Sequence, residues 1–301
     1  MGKIFSPGKL LLTSEYVVLD GALALAVPTQ LGQEFFFQEI HDGKSLVFWE
    51  ALHKGKTWLK AVINYQEETV VEANLPDAAA FVLKVLKNVK HRSKTKLQHH
   101  HSYELKTNLQ FPGNFGLGSS STLMNNLAEW AEIDAFKLND DSLGGSGYDI
   151  AVAREKSDIL FQIKNGERIV EKVDFQPTFK DELIFIHLNQ KQDSREGIQL
   201  YRSKEKSPEL IQFFSEITEQ VIKCEDLERF SKLMTLHEQK LSDFLEIPTV
   251  KEKYFENCPS FIKSLGAWGG DFVMSSKFRD FKNYFSGRNF HTIFDCKDLI
   301  N

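Results

Sequence analysis

Pro112-Gly113-Asn114-Phe115-Gly116-Leu117-Gly118-Ser119-Ser120-Ser121-Thr122 stands between a stretch that reads as a strand, Ser102–Phe111, and one that reads as a helix. The helix rests on Leu123, Leu127 and Trp130, which recur at the spacing of one helix face. Glycines let a backbone take positive φ and approach a ligand closely. A helix N-terminus behind them offers unpaired N–H groups and a partial positive charge, a pairing that suits phosphate. The serines and the threonine add hydroxyls, one of which can ligate Mg²⁺. The segment is not a Walker-type P-loop, because no Gly-Lys-Ser/Thr follows the glycines. Taken alone it fits an ordinary capped turn equally well.

Two more segments carry chemistry. Ser6-Pro7-Gly8-Lys9 precedes Leu10-Leu11-Leu12 and Ser14-Glu15-Tyr16. A lysine fixed by a Pro-Gly turn can stabilise charge on a transferred group, although Lys9 in isolation reads as a surface lysine. Gly144-Gly145-Ser146-Gly147-Tyr148-Asp149-Ile150-Ala151 places one aspartate after a glycine-rich turn, where it can address a substrate hydroxyl or simply cap a helix.

Around these segments the opening reads as β-rich: strands at Lys3–Thr13, Tyr16–Leu19 and Ala22–Pro28 about a turn at Asp20-Gly21, then Phe35–Ile40 and Ser45–Glu50. Helical spacing predicts Ala79–Val89 as a helix. Ser207-Pro208-Glu209 reads as a helix start, and a second long helix runs from Asp226 to about Leu245. Between them lies an apolar strand, Glu182–Leu188, with a short one near Ile293. The pattern is α+β in two lobes, residues 1–155 and 156–301.

The chain of 301 residues has a net charge of −5, which argues against general nucleic-acid binding. No segment approaches the roughly 20 apolar residues of a membrane span, and the start is too charged for a signal peptide, so no membrane partner is expected and the compartment is taken as cytoplasmic. Cys224, Cys258 and Cys296 are too widely spaced for a zinc site or a disulfide framework. The 25 phenylalanines read as core filling. His99, His100 and His101 could bind metal, but adjacent residues diverge in a strand or a helix, so the run reads as a solvated loop.

In their order, the segments resemble the GHMP kinases, most nearly the phosphomevalonate and mevalonate kinases in a variant with Gly147-Tyr148-Asp149-Ile150-Ala151. A fourth match, Gly266-Ala267-Trp268-Gly269-Gly270-Asp271, resembles the family's third glycine-rich motif, which packs against the phosphate loop. The resemblance implies an N-terminal β-rich lobe like ribosomal protein S5 domain 2, a C-terminal α/β-sandwich lobe and an active site between them. It implies ATP and Mg²⁺ as cofactors and a monomer or homodimer acting on mevalonate or phosphomevalonate. A sugar kinase and an inactive nucleotide-binding relative are the alternatives.

Carried over, Lys9 would stabilise transition-state charge and Asp149 would orient or deprotonate the acceptor. Pro112, Gly113, Gly116, Leu117, Gly118, Ser119, Ser120 and Ser121 would hold the ATP phosphates, with Ser120 on Mg²⁺. Glu15, Tyr16, Ser146, Gly147, Lys191, Ser194 and Arg195 would bind substrate, and Gly266, Gly269 and Gly270 would form the third motif. Two positions depart from the pattern. Leu138 stands where mevalonate kinases carry a magnesium-binding glutamate, for which Asp140 or Asp141 could substitute, and Trp268 replaces a glycine.

Overall fold

Two groups of mutually packed residues organise the chain: unit 1 (Met1–Gly8, Leu31–Gly113 and Leu117–Lys156) and unit 2 (Lys9–Gln30, Asn114–Gly116 and Ser157–Asn301). A single cut at residue 155 does not give this division, because Lys9–Gln30 and Asn114–Gly116 belong to unit 2. The structure, a computed structural model, describes residues 1–190, 194–266 and 269–300, with backbone only for 194 and 195.

Two strands, β1 (Gly2–Leu11) and β2 (Ala24–Ile40), pair with each other, and each is divided between the units. Unit 1 continues with β3 (Leu46–His53), β4 (Lys56–Asn64), β5 (Thr69–Ala73), α1 (Pro76–Arg92), β6 (Ser102–Leu109), α2 (Ser119–Ala131), α3 (Ala135–Ser142) and α4 (Tyr148–Glu155). Its strands lie in the order β5-β4-β3-β6-β2, antiparallel except for the β3–β6 pair. Inward-facing Phe35, Val47, Trp49, Leu59, Ile63 and Leu105 meet Val82, Val85 and Val89 of α1 and Met124, Leu127 and Trp130 of α2. Each such side chain contributes about 1.5–3 kcal/mol by leaving water. Helix α1 is longer than its apolar spacing predicts, because Pro76 opens its first turn and Lys90, His91 and Arg92 sit favourably in its last.

Unit 2 adds the hairpin β7 (Ile159–Lys164) and β8 (Glu167–Lys172), then β9 (Leu183–His187), α5 (Ser194–Ser203), α6 (Pro208–Ile222) and α7 (Leu227–Leu245). It ends with α8 (Val250–Tyr254), β10 (Lys263–Leu265), β11 (Phe272–Ser276), α9 (Phe281–Ser286), β12 (Ile293–Asp295) and α10 (Cys296–Leu299). Four strands form an antiparallel sheet in the order β10-β11-β9-β12. Helix α6 starts as the sequence predicts, with Ser207 Oγ accepting from the Leu210 N–H at 3.2 Å and Pro208 in the first turn. The strand expected at Tyr16–Leu19 is instead a 3₁₀ turn, Val17–Asp20, entered through positive φ of 63° at both Ser14 and Tyr16. The architecture is α+β, as the element pattern predicts. No described helix is long and apolar enough to cross a membrane.

Candidate active site

In unit 1 the glycine-rich segment delivers the chain into α2 through Gly118, whose φ of 83° lies in the left-handed region. No side chain caps this 13-residue helix, so the first N–H groups are not capped from within. Ser121 is buried and turns its hydroxyl inward, donating to the Gly118 carbonyl at 2.8 Å. Ser119 is half-buried and Ser120 exposed, and among the described residues neither hydroxyl has a hydrogen-bond partner. Both serines and Gly113 line a cavity of about 530 Å³, walled by Trp49, Trp58, Phe81 and Leu123 among others. Trp58 is 47% exposed, so its ring is offered to this cavity without being needed by the core.

Helix α4, also in unit 1, is likewise entered through a left-handed glycine, Gly147 with φ 92°. Side chains meet two of its first N–H groups: Ser146 Oγ accepts from Tyr148 at 3.5 Å, and Asp149, half-buried in the first turn, accepts from Ile150 with Oδ1 at 3.1 Å. Ser146 is buried beside it. Helices α2 and α4 are tied where Asn125 Nδ2 donates to the Ala153 carbonyl at 3.3 Å. Leu138 is fully buried in the core of unit 1 and carries no ligand chemistry. Of the residues that could substitute for it, Asp141 is engaged by Arg92 Nε, a hydrogen bond that lowers its pKa, and Asp140 is exposed.

Unit 2 holds the preceding part of the glycine-rich segment. Lys9 is 8% exposed, and its Nζ donates to the Gly116 carbonyl at 2.9 Å. Phe115 packs on the His187 ring at 4.4 Å and edge-on to Phe272 at 5.4 Å. Burial holds the His187 pKa below the usual imidazole range; its Nδ1 accepts from the Asn189 N–H at 3.2 Å, leaving Nε2 to face the Asn114 carbonyl at 3.4 Å. Gly116 has φ 68°, and a β-carbon there would fall on the Asp271 carboxylate. Asp271 is itself fixed on both sides, its N–H donating to the Gln190 carbonyl at 3.1 Å and its carbonyl accepting from Leu188 at 2.8 Å. Gly266 and Gly269 of the same motif take φ of 76° and 78°, and Gln190 Nε2 donates to the Gly269 carbonyl at 2.6 Å; Gly270 is buried. The third motif thus packs on Gly116, within unit 2.

Glu15 and Tyr16 are placed differently from the expectation that they bind substrate. Tyr16 is 7% exposed and its ring stacks near Tyr201 at 6.1 Å, in a core with Leu210, Phe214 and Leu241. Glu15 is 1% exposed and lies in a buried charge cluster that sequence reasoning missed. Lys263 Nζ, fully buried, donates to Glu15 Oε1 at 2.5 Å and stands 3.6 Å from Glu238 Oε2. Glu238 also accepts from the Ser264 N–H at 3.1 Å, and His237 Nε2 accepts from the Ser14 N–H at 2.7 Å. Burial raises the Glu238 pKa to about 7 against the pull of Lys263, and Glu15 adds to the rise. Burial likewise raises Glu15 and, with Lys263, holds His237 well below its usual value, so that ring is neutral. A signal existed: Lys263 interrupts the apolar run from Phe261 to Leu265, and His237 and Glu238 fall on the buried stripe of α7 between Met234 and Leu241.

Lys191, the side chains of Ser194 and Arg195, and Trp268 lie outside the described residues. The cavity beside Ser119 and Ser120 was also missed, since Trp58 and Phe81 are brought to it only by the pairing of β4 with β3 and the packing of α1.

No protein-family model matches the chain, and no curated protein matches it by sequence. Solved structures do. L. major mevalonate kinase in complex with R-mevalonate superposes with a TM-score of 0.70 over 98% of this chain and 94% of that one, at 16% identity. Streptococcus pneumoniae phosphomevalonate kinase in complex with phosphomevalonate and AMPPNP gives 0.70 over 98% and 99%, at 15% identity. Lactococcus lactis galactokinase complexed with galactose gives 0.65 over 95% and 88%, at 13% identity. At such identities the likeness is one of fold.

Proposed function

We propose, from the premise that this chain has the fold of the GHMP kinases, that it is an ATP-dependent kinase passing the γ-phosphate to mevalonate or phosphomevalonate. The observation that carries the reading is in unit 1: an N-terminus of α2 without a side-chain cap and two serine hydroxyls with no partner among the described residues, at the edge of a cavity walled by Trp58 and Phe81. A nucleotide matches both halves, its phosphates suiting the helix terminus and its base an aromatic wall.

In this reading Ser119, Ser120 and the first N–H groups of α2 hold the phosphates, with Pro112, Gly113, Gly116, Leu117, Gly118 and Ser121 shaping the turn. The donor set fits Mg²⁺ only in part: Ser120 offers an exposed hydroxyl with no partner among the described residues, and Leu138 gives no ligand. A bound magnesium ion would neutralise phosphate charge. Lys9, held at the loop by the Gly116 carbonyl, supplies positive charge for the transferred group. Asp149, at the start of α4, orients the acceptor hydroxyl or receives its proton. Phosphoryl transfer asks little covalent chemistry of a protein, so positioning and charge neutralisation supply most of the rate. Ser146, Gly147, Lys191, Ser194 and Arg195 are assigned to the acceptor; Glu15 and Tyr16 support the first strand and turn from inside unit 2.

The test is ADP release from Mg-ATP with mevalonate, phosphomevalonate and galactose offered separately. Turnover with one of the first two supports the reading and selects the acceptor. Turnover with galactose alone overturns the acceptor class, and ATP binding without turnover on any of the three overturns the kinase.

A further inference from the structure

We propose that His41 and His101, at the open end of the β2–β6 ladder in unit 1, form a binding site for a divalent transition-metal ion of the zinc class, with Glu39 as its positioning residue. The last ladder pair is Ile40 with Ser102, and one step further along the antiparallel register His41 faces His101. Side chains directly opposite on such a ladder stand close enough to share one ligand. The rings do meet, with His41 Nδ1 3.1 Å from His101 Nε2.

Two nitrogens at that separation, each about 2.0–2.1 Å from a common ion, subtend roughly 98° at it. That angle lies between the octahedral and tetrahedral values. Glu39 Oε1 lies 2.6 Å from His101 Nδ1, so the ring donates its Nδ1–H to the carboxylate and turns the Nε2 lone pair to His41. A carboxylate on the far nitrogen is the arrangement that orients metal-binding histidines and raises their basicity. Lys96 Nζ holds the other Glu39 oxygen at 3.3 Å, which keeps the carboxylate in its orienting role. With His41 carrying its proton on Nε2, both inward-facing nitrogens are lone-pair donors, and water completes the shell from the exposed side of His41.

The loop before β6 is built to hold this geometry. Tyr65, 2% exposed, donates from its hydroxyl to the His101 carbonyl at 2.6 Å and accepts from the His101 N–H at 3.3 Å. His100 turns away to Ser45 Oγ at 3.0 Å. The run of three histidines is therefore not the site: its last member is, with a partner sixty residues earlier on the neighbouring strand. Glu39, His41 and His101 bring one ligand atom each to within 4.8 Å of one another.

The experiment is calorimetric titration of the full, tag-free chain with zinc chloride. One zinc per chain is expected, weakened at least about tenfold in His41→Ala and in His101→Ala, and about tenfold to a hundredfold in Glu39→Gln. His291→Ala, in unit 2, serves as the control that keeps the wild-type affinity. His41 is exposed at a strand end, so His41→Ala keeps the fold, which circular dichroism checks. No stoichiometric binding, or equal binding by wild type and His41→Ala, would leave the pair a plain histidine–histidine hydrogen bond and overturn the proposal.

Discussion

Replacing Glu238 by Gln makes unit 2 more stable at alkaline pH and not at acid pH. Two buried carboxylates, Glu15 and Glu238, face the single buried ammonium of Lys263, so one of them is under-compensated when both ionise. Burial is the larger influence on Glu238 and raises its pKa from 4.5 to about 7. The native state therefore binds a proton that the unfolded chain has already released. Stability from this group is full below about pH 4.5, falls as pH rises, and levels off above about 7. Each unit of pKa is worth 1.36 kcal/mol, so the fall across that window is about 3 kcal/mol. Gln keeps the shape and the oxygen that accepts from the Ser264 N–H, but cannot ionise. Urea unfolding of both proteins between pH 5 and 8 reads the effect. The stability gain of Glu238→Gln should be no more than about 1 kcal/mol at pH 5 and grow to about 3 kcal/mol by pH 8. A difference that stays constant across that range would refute the burial argument.

Gly116→Ala puts a β-carbon on the Asp271 carboxylate at a residue of positive φ and should cost about 1–3 kcal/mol in the same assay, partly recovered in the double variant with Asp271→Ala. Full recovery in the double variant would mean that backbone strain plays no part. Trp58→Ala should weaken binding of an ATP analogue about tenfold, the scale of one base–aromatic stack, without moving the melting temperature. Unchanged affinity by calorimetry would remove the cavity beside Ser119 from the nucleotide site.

Local patterns that survive without tertiary help were legible in the sequence. The β1 strand, the Ser207-Pro208 helix start and the stripe of α1 depend on neighbours within a turn or two, and all are present. The β7–β8 hairpin carries its own signal in the sequence, Asn165-Gly166 between two alternating runs. Tyr16–Leu19 misled because its apolar residues satisfy either a strand or a tight turn, and packing against Tyr201 and Phe214 decides for the turn. At the candidate site, the glycines and serines before α2 announced a helix entered through a left-handed glycine and left without a side-chain cap. Glu15 could not be separated from a substrate-facing acid, since its partner Lys263 lies 248 residues away. His41 and His101 were invisible as a pair for the same reason: register, not spacing, brings them together.

The kinase reading meets its most direct test in the transfer itself, followed by phosphorus NMR with Mg-ATP and the preferred acceptor. Wild type should move the γ-phosphate onto the acceptor. Lys9→Met and Asp149→Asn should each lose about 10²–10⁴ in turnover while still binding ATP, the scale of one electrostatic or acid–base contribution. Transfer at the wild-type rate in both variants, or none by wild type with ATP bound, would contradict it.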